Sequence, residues 1–104
     1  IVQGFGQNSS TKKTIWDVEK FGCNPAPIEH IAGGDLSENL RIMERLLDGS
    51  ASTGLTDSIL MNASLAFLTT GRTKNLEEGV DLSKKLLKDG TVKTWLAEVT
   101  TFFK

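Results

Sequence analysis

The sequence predicts a helix-rich α/β chain in which short N-terminal strands precede about four helices. Three observations point there. β-Branched and aromatic residues fall in two short runs within the first 22 residues, separated by Gly, Asn, Ser and Lys. From Asp35 onward, apolar residues recur at helical spacing between capping residues and glycine stops. The composition, 38% hydrophobic and 24% charged over 104 residues, is that of a soluble globular chain long enough for one modest core, so 1–104 reads as a single domain.

Ile1-Val2 opens the first strand, which Gly4 and Gly6 end. Thr14-Ile15-Trp16-Asp17-Val18 forms the second, with Ile15 and Val18 as apolar positions around Trp16 and Asp17. Pro25 and Pro27 forbid helix in the next stretch, so Ile28 to Ile31 can form at most a short turn before Gly33-Gly34. Asp35 sits where an N-cap belongs. Glu38 follows at capping-box spacing, and Leu36, Leu40, Met43 and Leu47 share one helical face. Gly49 ends that helix.

After a Ser/Thr/Gly loop, a second helix runs from about Asp57 to Thr70 and closes at Gly71. Eight of the ten residues from Ile59 to Leu68 are apolar or alanine, which leaves almost no solvent face and places this helix at the centre. Asn75 and Glu78 repeat the capping spacing for a third helix, which carries Leu76, Val80, Leu86 and Leu87 to Gly90. Gly79 inside it costs about 1 kcal/mol relative to alanine, and close approach of a neighbouring backbone would account for it. Thr91 caps a last helix in which Val92, Trp95, Leu96, Val99, Phe102 and Phe103 follow the helical rhythm. That face needs a cover.

Twelve basic residues against thirteen acidic give a net charge of −1, so no positive excess is available to release counterions from a nucleic acid, and no nucleic-acid partner is expected. The longest apolar run, Ile59 to Leu68, is broken by Asn62 and Ser64 and falls short of the ~20 residues of a membrane span. No basic, then apolar, then small-residue leader opens the sequence, and no membrane partner is expected. Cys23 is the only cysteine; it cannot pair internally and fits a reducing, cytoplasmic setting. In that setting the glycosylation sequons at Asn8 and Asn62 read as coincidence.

Candidates for chemistry are few. His30, the only histidine, lies in a proline-bounded turn and reads as a surface or capping residue ahead of a general base. Cys23 reads as a small buried hydrophobe unless a cationic group beside it favours the thiolate. One Cys and one His cannot make the usual four-ligand metal set. Gly4-Phe5-Gly6 opens like a phosphate-cradling loop, but no third glycine at the dinucleotide spacing and no Gly-Lys-Ser/Thr follow, so it reads as a turn. At Gly33-Gly34-Asp35 the Asp35 carboxylate occupies the place an anion would take at the helix start. Glu77, Glu78, Lys84 and Lys85 match the dipole of the third helix from solvated positions. The residues alone therefore assign no catalytic, cofactor-binding or metal-binding side chain.

Phe21-Gly22, Ala26-Pro27-Ile28-Glu29, Gly33-Gly34-Asp35 with Glu38-Asn39, and Leu46-Leu47-Asp48-Gly49 together resemble the C-terminal third of anthranilate phosphoribosyltransferases. Asp57-Ser58-Ile59-Leu60-Met61-Asn62-Ala63 resembles that family's Asp-x-x-Leu-x-Asn-Ala helix. Gly71-Arg72 with Leu76-Glu77-Glu78-Gly79-Val80 resembles its closing Gly-Arg and Leu-x-Glu-Gly-Val pattern. The likeness runs in order from Phe21 to Lys104.

The resemblance implies transfer of the phosphoribosyl group of phosphoribosyl pyrophosphate to anthranilate, a step of tryptophan biosynthesis, with magnesium and in a homo-oligomer, usually a dimer. It implies that 1–104 is the C-terminal part of a larger α/β phosphoribosyltransferase domain. The family's Gly-Thr-Gly-Gly-Asp diphosphate loop and Lys-His-Gly-Asn segment are absent and precede the matched region. The resemblance also sets Ile1-Val2-Gln3-Gly4-Phe5 on the strand before the family's metal-binding Gly-Leu-Asp-Glu, so Gly6 and Gln7 stand where two carboxylates are expected. Neither can serve as an anionic magnesium ligand. The expectation is a supporting chain, inactive and without bound magnesium when alone, that needs the missing N-terminal part of the enzyme or a partner chain. The alternative is a free-standing, non-enzymatic interaction module derived from the same fold. A related nucleoside phosphorylase shares the architecture but should match Gly-Gly-Asp and Leu-Met-Asn-Ala less closely.

Overall fold

The computed structural model describes residues 15–104. The strand expected at Ile1-Val2 lies outside the described residues, as do Gly4, Gly6 and Gln7. Two 3₁₀ turns, Val18–Phe21 and Ile28–Ile31, precede four helices: α1 (Leu36–Asp48), α2 (Thr53–Thr69), α3 (Leu76–Lys88) and α4 (Thr91–Phe102).

The expected second strand, Thr14 to Val18, is corrected by the structure. Among the described residues none is in a strand, and Val18 begins a 3₁₀ turn instead. Asp17 is the local cause, because its carboxylate accepts a hydrogen bond from the Glu19 amide at 3.2 Å and caps the turn. Ile15 is 78% exposed, so the alternation has no core face to bury. Strand propensity is expressed mainly against such a face.

The helix boundaries follow local capping wherever the cap is local. Asp35 Oδ1 accepts from the Glu38 amide at 2.8 Å, and Gly49, at φ 80°, lets the chain turn back so that the Ser50 amide reaches the Arg45 carbonyl. The capping box is one-sided here, since the Glu38 carboxylate pairs with Arg41 at 2.7 Å. Asn75 caps α3 the same way at 2.8 Å, while Glu78 Oε2 accepts from the Lys74 amide, one residue upstream of the cap. Thr91, expected as the cap of the last helix, is instead the first residue of α4: the N-cap is Gly90, at φ 82°, and the Asp89 carboxylate just before it accepts, through one oxygen, from both the amide and the hydroxyl of Thr91. The Thr91 hydroxyl first, and its amide second, hold the Asp89 carboxyl below the usual carboxylate range.

α2 starts at Thr53, earlier than the expected Asp57, for a non-local reason. Ser52 makes no cap of its own; its hydroxyl donates to the His30 carbonyl at 2.8 Å, and His30 Nδ1 accepts the Gly54 amide at 3.2 Å. A side chain 24 residues upstream thus takes up one of the unpaired amides of the first turn.

α2 and α3 form the core. α4 packs on α3, the turn Ile28–Ile31 on α2, and the turn Val18–Phe21 on α3. Leu60, Leu76 and Val80 are buried, and Ser64 is 0% exposed. Gly79 has the role the sequence predicts: a Cβ there would lie 2.9 Å from Ser64 Cβ and 3.0 Å from its backbone. The buried hydroxyls of Ser64 and Ser83 are satisfied within their own helices, by the Leu60 and Gly79 carbonyls, whereas that of Thr73, between α2 and α3, has no partner among the described residues. The flanking helices differ, with Leu36 of α1 74% exposed and Trp95 of α4 60% exposed.

Candidate functional site

The segment from Cys23 to Ile31 lies along the first three turns of α2 and encloses with it a cleft of about 420 Å³. Pro25 and Pro27 keep the segment extended up to the 3₁₀ turn Ile28–Ile31, with Pro27 at φ −61° and ψ 148°. Its position is fixed at both ends. Near Cys23, the Asn24 amide donates to Asp57 Oδ2 at 3.1 Å. At the other end stand the two His30 contacts to Ser52 and Gly54. Gly54 is required there, because a Cβ would come within 2.7 Å of the Cβ atoms of both Ala26 and His30. The walls are apolar, from Val18, Pro27, Ile28, Ile31 and Met61, with Asn24, Asp57, Ser58 and Asn62 as the polar groups.

Most of those polar groups already have local partners. Asn62 Nδ2 donates to the Ser58 carbonyl and the Ser58 hydroxyl to the Gly54 carbonyl, both at 2.8 Å. Cys23, 2% exposed, borders the cleft. Burial pushes its thiol above the ordinary range; Asp57 adds to the rise and Lys84 opposes it. The thiol is packed and its environment disfavours the thiolate, which agrees with a small buried hydrophobe. His30, the other candidate, is a cap, with Nδ1 turned to α2 rather than to a nucleophile.

Gly33-Gly34-Asp35 is held closed by its own sequence neighbourhood. Asn39 Oδ1 accepts from the Gly34 amide at 2.9 Å while its Nδ2 donates to the Gly34 carbonyl at 3.1 Å. A Cβ on Gly33 would lie 2.9 Å from that same Oδ1. Asp35 spends its carboxylate on the cap, so the turn offers no anion cradle. Sequence reasoning did not assign roles to Asn39 or Asp57, although both lie in the motifs quoted above; each acts by gripping backbone of another segment. Glu77 and Glu78 lie in the first turn of α3 and Lys85 in its last, as expected, while Lys84 precedes that last turn.

Among the described residues, no group of three or more His, Cys, Asp or Glu side chains is placed to hold a metal ion. No helix among them is long and apolar enough to cross a membrane. Leu60, Leu76 and Val80 fill the core, Gly79 admits Ser64, Asp57 anchors Asn24, and Gly71, at φ 75°, ends α2 with the Arg72 amide on the Phe67 carbonyl at 2.9 Å.

Residues 2–93 match a family model described as the glycosyl transferase family, a/b domain. Over 86 residues the chain is 37% identical to an anthranilate phosphoribosyltransferase of Listeria monocytogenes, covering 83% of this chain and 25% of that protein. It is 33% identical over 84 residues to the anthranilate phosphoribosyltransferase of Chlorobium chlorochromatii, covering 81% and 24%. It is 34% identical over 91 residues to anthranilate phosphoribosyltransferase 2 of a Nostoc species, covering 86% and 25%. The chain spans about a quarter of the length of these curated relatives. No solved structure matches it.

Proposed function

The chain belongs to the glycosyl transferase family, whose a/b domain it matches over residues 2–93, and from that premise we propose that it is the C-terminal part of an anthranilate phosphoribosyltransferase. The reaction is transfer of phosphoribosyl from phosphoribosyl pyrophosphate to the anthranilate nitrogen, in tryptophan biosynthesis. One observation carries this reading: 83% of the chain aligns at 37% identity with a quarter of such an enzyme. The motifs quoted above agree with it in their order, and they resemble the C-terminal third of such enzymes.

In this reading the chain supports an active site built by other residues. The magnesium of the reaction is held, in this reading, by the upstream part of the enzyme, and the chain alone binds none. The larger α/β domain contributes the strands against which these helices pack, from an upstream part of the enzyme or from a partner chain. Exposed Leu36, Leu40 and Met43 on α1, and Val92, Trp95 and Phe102 on α4, support that need. The complete enzyme is a homo-oligomer. Its compartment is the cytoplasm, which suits a single buried free thiol.

The test is anthranilate-dependent consumption of phosphoribosyl pyrophosphate, with magnesium. The 104-residue chain alone should match the no-enzyme control, and its complex with the upstream three-quarters of a relative should be active. Activity of the chain alone contradicts the supporting role. An inactive but well-formed complex favours the alternative, an interaction module derived from the same fold.

A further inference from the structure

His30 is half-buried, and its ring is bonded to the start of a helix other than its own. Nδ1 accepts the Gly54 amide at 3.2 Å, which requires a neutral ring carrying its proton on Nε2. An imidazolium has no acceptor, and its charge would stand at the positive end of the α2 dipole. We propose that His30 is a proton-operated clasp, closed on the N-terminus of α2 when neutral and released when protonated.

The surroundings give the charged ring somewhere to go. Glu29 adjoins it in the same turn, and Glu38 and Arg45 of α1 share with it a cleft of about 200 Å³. Asp57 is the one titratable group on α2, and it is engaged with the Asn24 amide. Glu29 and Glu38 attract an imidazolium out of the capping position, whereas Arg45 favours the neutral ring. The Ser52 hydroxyl bond to the His30 carbonyl does not titrate, so the segment stays tethered while the ring lets go. Pro27, Ile28 and Ile31, which wall the larger cleft, belong to the segment that the ring secures. Histidine is the side chain whose charge ordinarily changes between about pH 5 and 8. The clasp holds whatever reaction the parent protein performs.

Amide hydrogen exchange at Gly54, corrected for intrinsic rates and compared at pH 8 and pH 5, tests the clasp on the full chain, with the Val80 amide as an internal reference. Protection at Gly54 should fall roughly five-fold at pH 5, the size of one lost N-cap contact, while Val80 is unchanged. In His30→Ala, protection should be low at both pH values; in His30→Asn, which keeps an acceptor but does not titrate, the pH difference should vanish. Wild-type protection that is equal at the two pH values overturns the proposal. So does a fall in His30→Ala as large as in wild type.

Discussion

The α2–α3 pair and the flanking helices α1 and α4 carry similar numbers of apolar residues yet use them in opposite ways. Between α2 and α3 the helices meet through small residues, Ser64 against Gly79, and Leu60, Leu76 and Val80 seal the seam. On α1 and α4 much of the apolar surface stays exposed, Leu36, Leu40 and Met43 on α1 and Val92, Trp95 and Phe102 on α4, with Phe102 at 80%. A cleft of about 320 Å³ lies between the C-terminal half of α1 and the α2–α3 pair. The contrast separates two jobs that hydrophobic periodicity alone cannot tell apart. One stripe closes a core inside the chain, and the others leave large apolar side chains exposed, the kind of surface that marks an interaction face.

Substitutions on the two sides should therefore diverge, and the largest effect belongs to the seam. Leu60→Ala should destabilise by roughly 2–5 kcal/mol, read as a lower denaturant midpoint. Phe67, on the same helix but half-buried, should lose less than Leu60 on the same substitution. Gly79→Ala comes next, at roughly 1–3 kcal/mol, because the added methyl would meet Ser64 backbone that cannot step aside. Asp35→Ala and Asn75→Ala each remove one cap, for about 1 kcal/mol. Leu36→Ala on the exposed stripe should stay within about 0.5 kcal/mol in the chain alone. Equal midpoints for Leu60→Ala and Leu36→Ala would erase the distinction between the two regions.

The smallest effect is one of pH. Asp89 has a lower pKa in the folded chain than its ordinary value because Thr91 donates to it, so its contribution is present above the ordinary carboxylate range. It is lost as pH falls below that range, through the folded value, and exchange of the α4 first-turn amides should rise there. In Asp89→Ala that rise should disappear.

What was legible in the sequence was what neighbours in the chain determine. Asp35 with Gly49 fixed both ends of α1, Asn75 fixed the start of α3, and Gly79 announced the close approach to Ser64. The start of α2 escaped because its cap comes from His30, and the cleft escaped because Asn24 and Asp57 are 33 residues apart. The Thr14 to Val18 run misled because β-branched spacing states a preference for a half-buried pleat without supplying one. The resemblance motifs were readable as family, yet their residues turn out to hold backbone and core.

Hydrogen exchange resolved by helix, on the chain alone and on its complex with the upstream three-quarters of a relative, tests the central claim most directly. The account predicts that α2 and α3 are protected in both, while α1 and α4 exchange faster in the chain alone and become protected in the complex. If the chain alone sediments as a monomer and protects α1 and α4 as strongly as α2 and α3, the exposed stripes need no cover and the account is wrong.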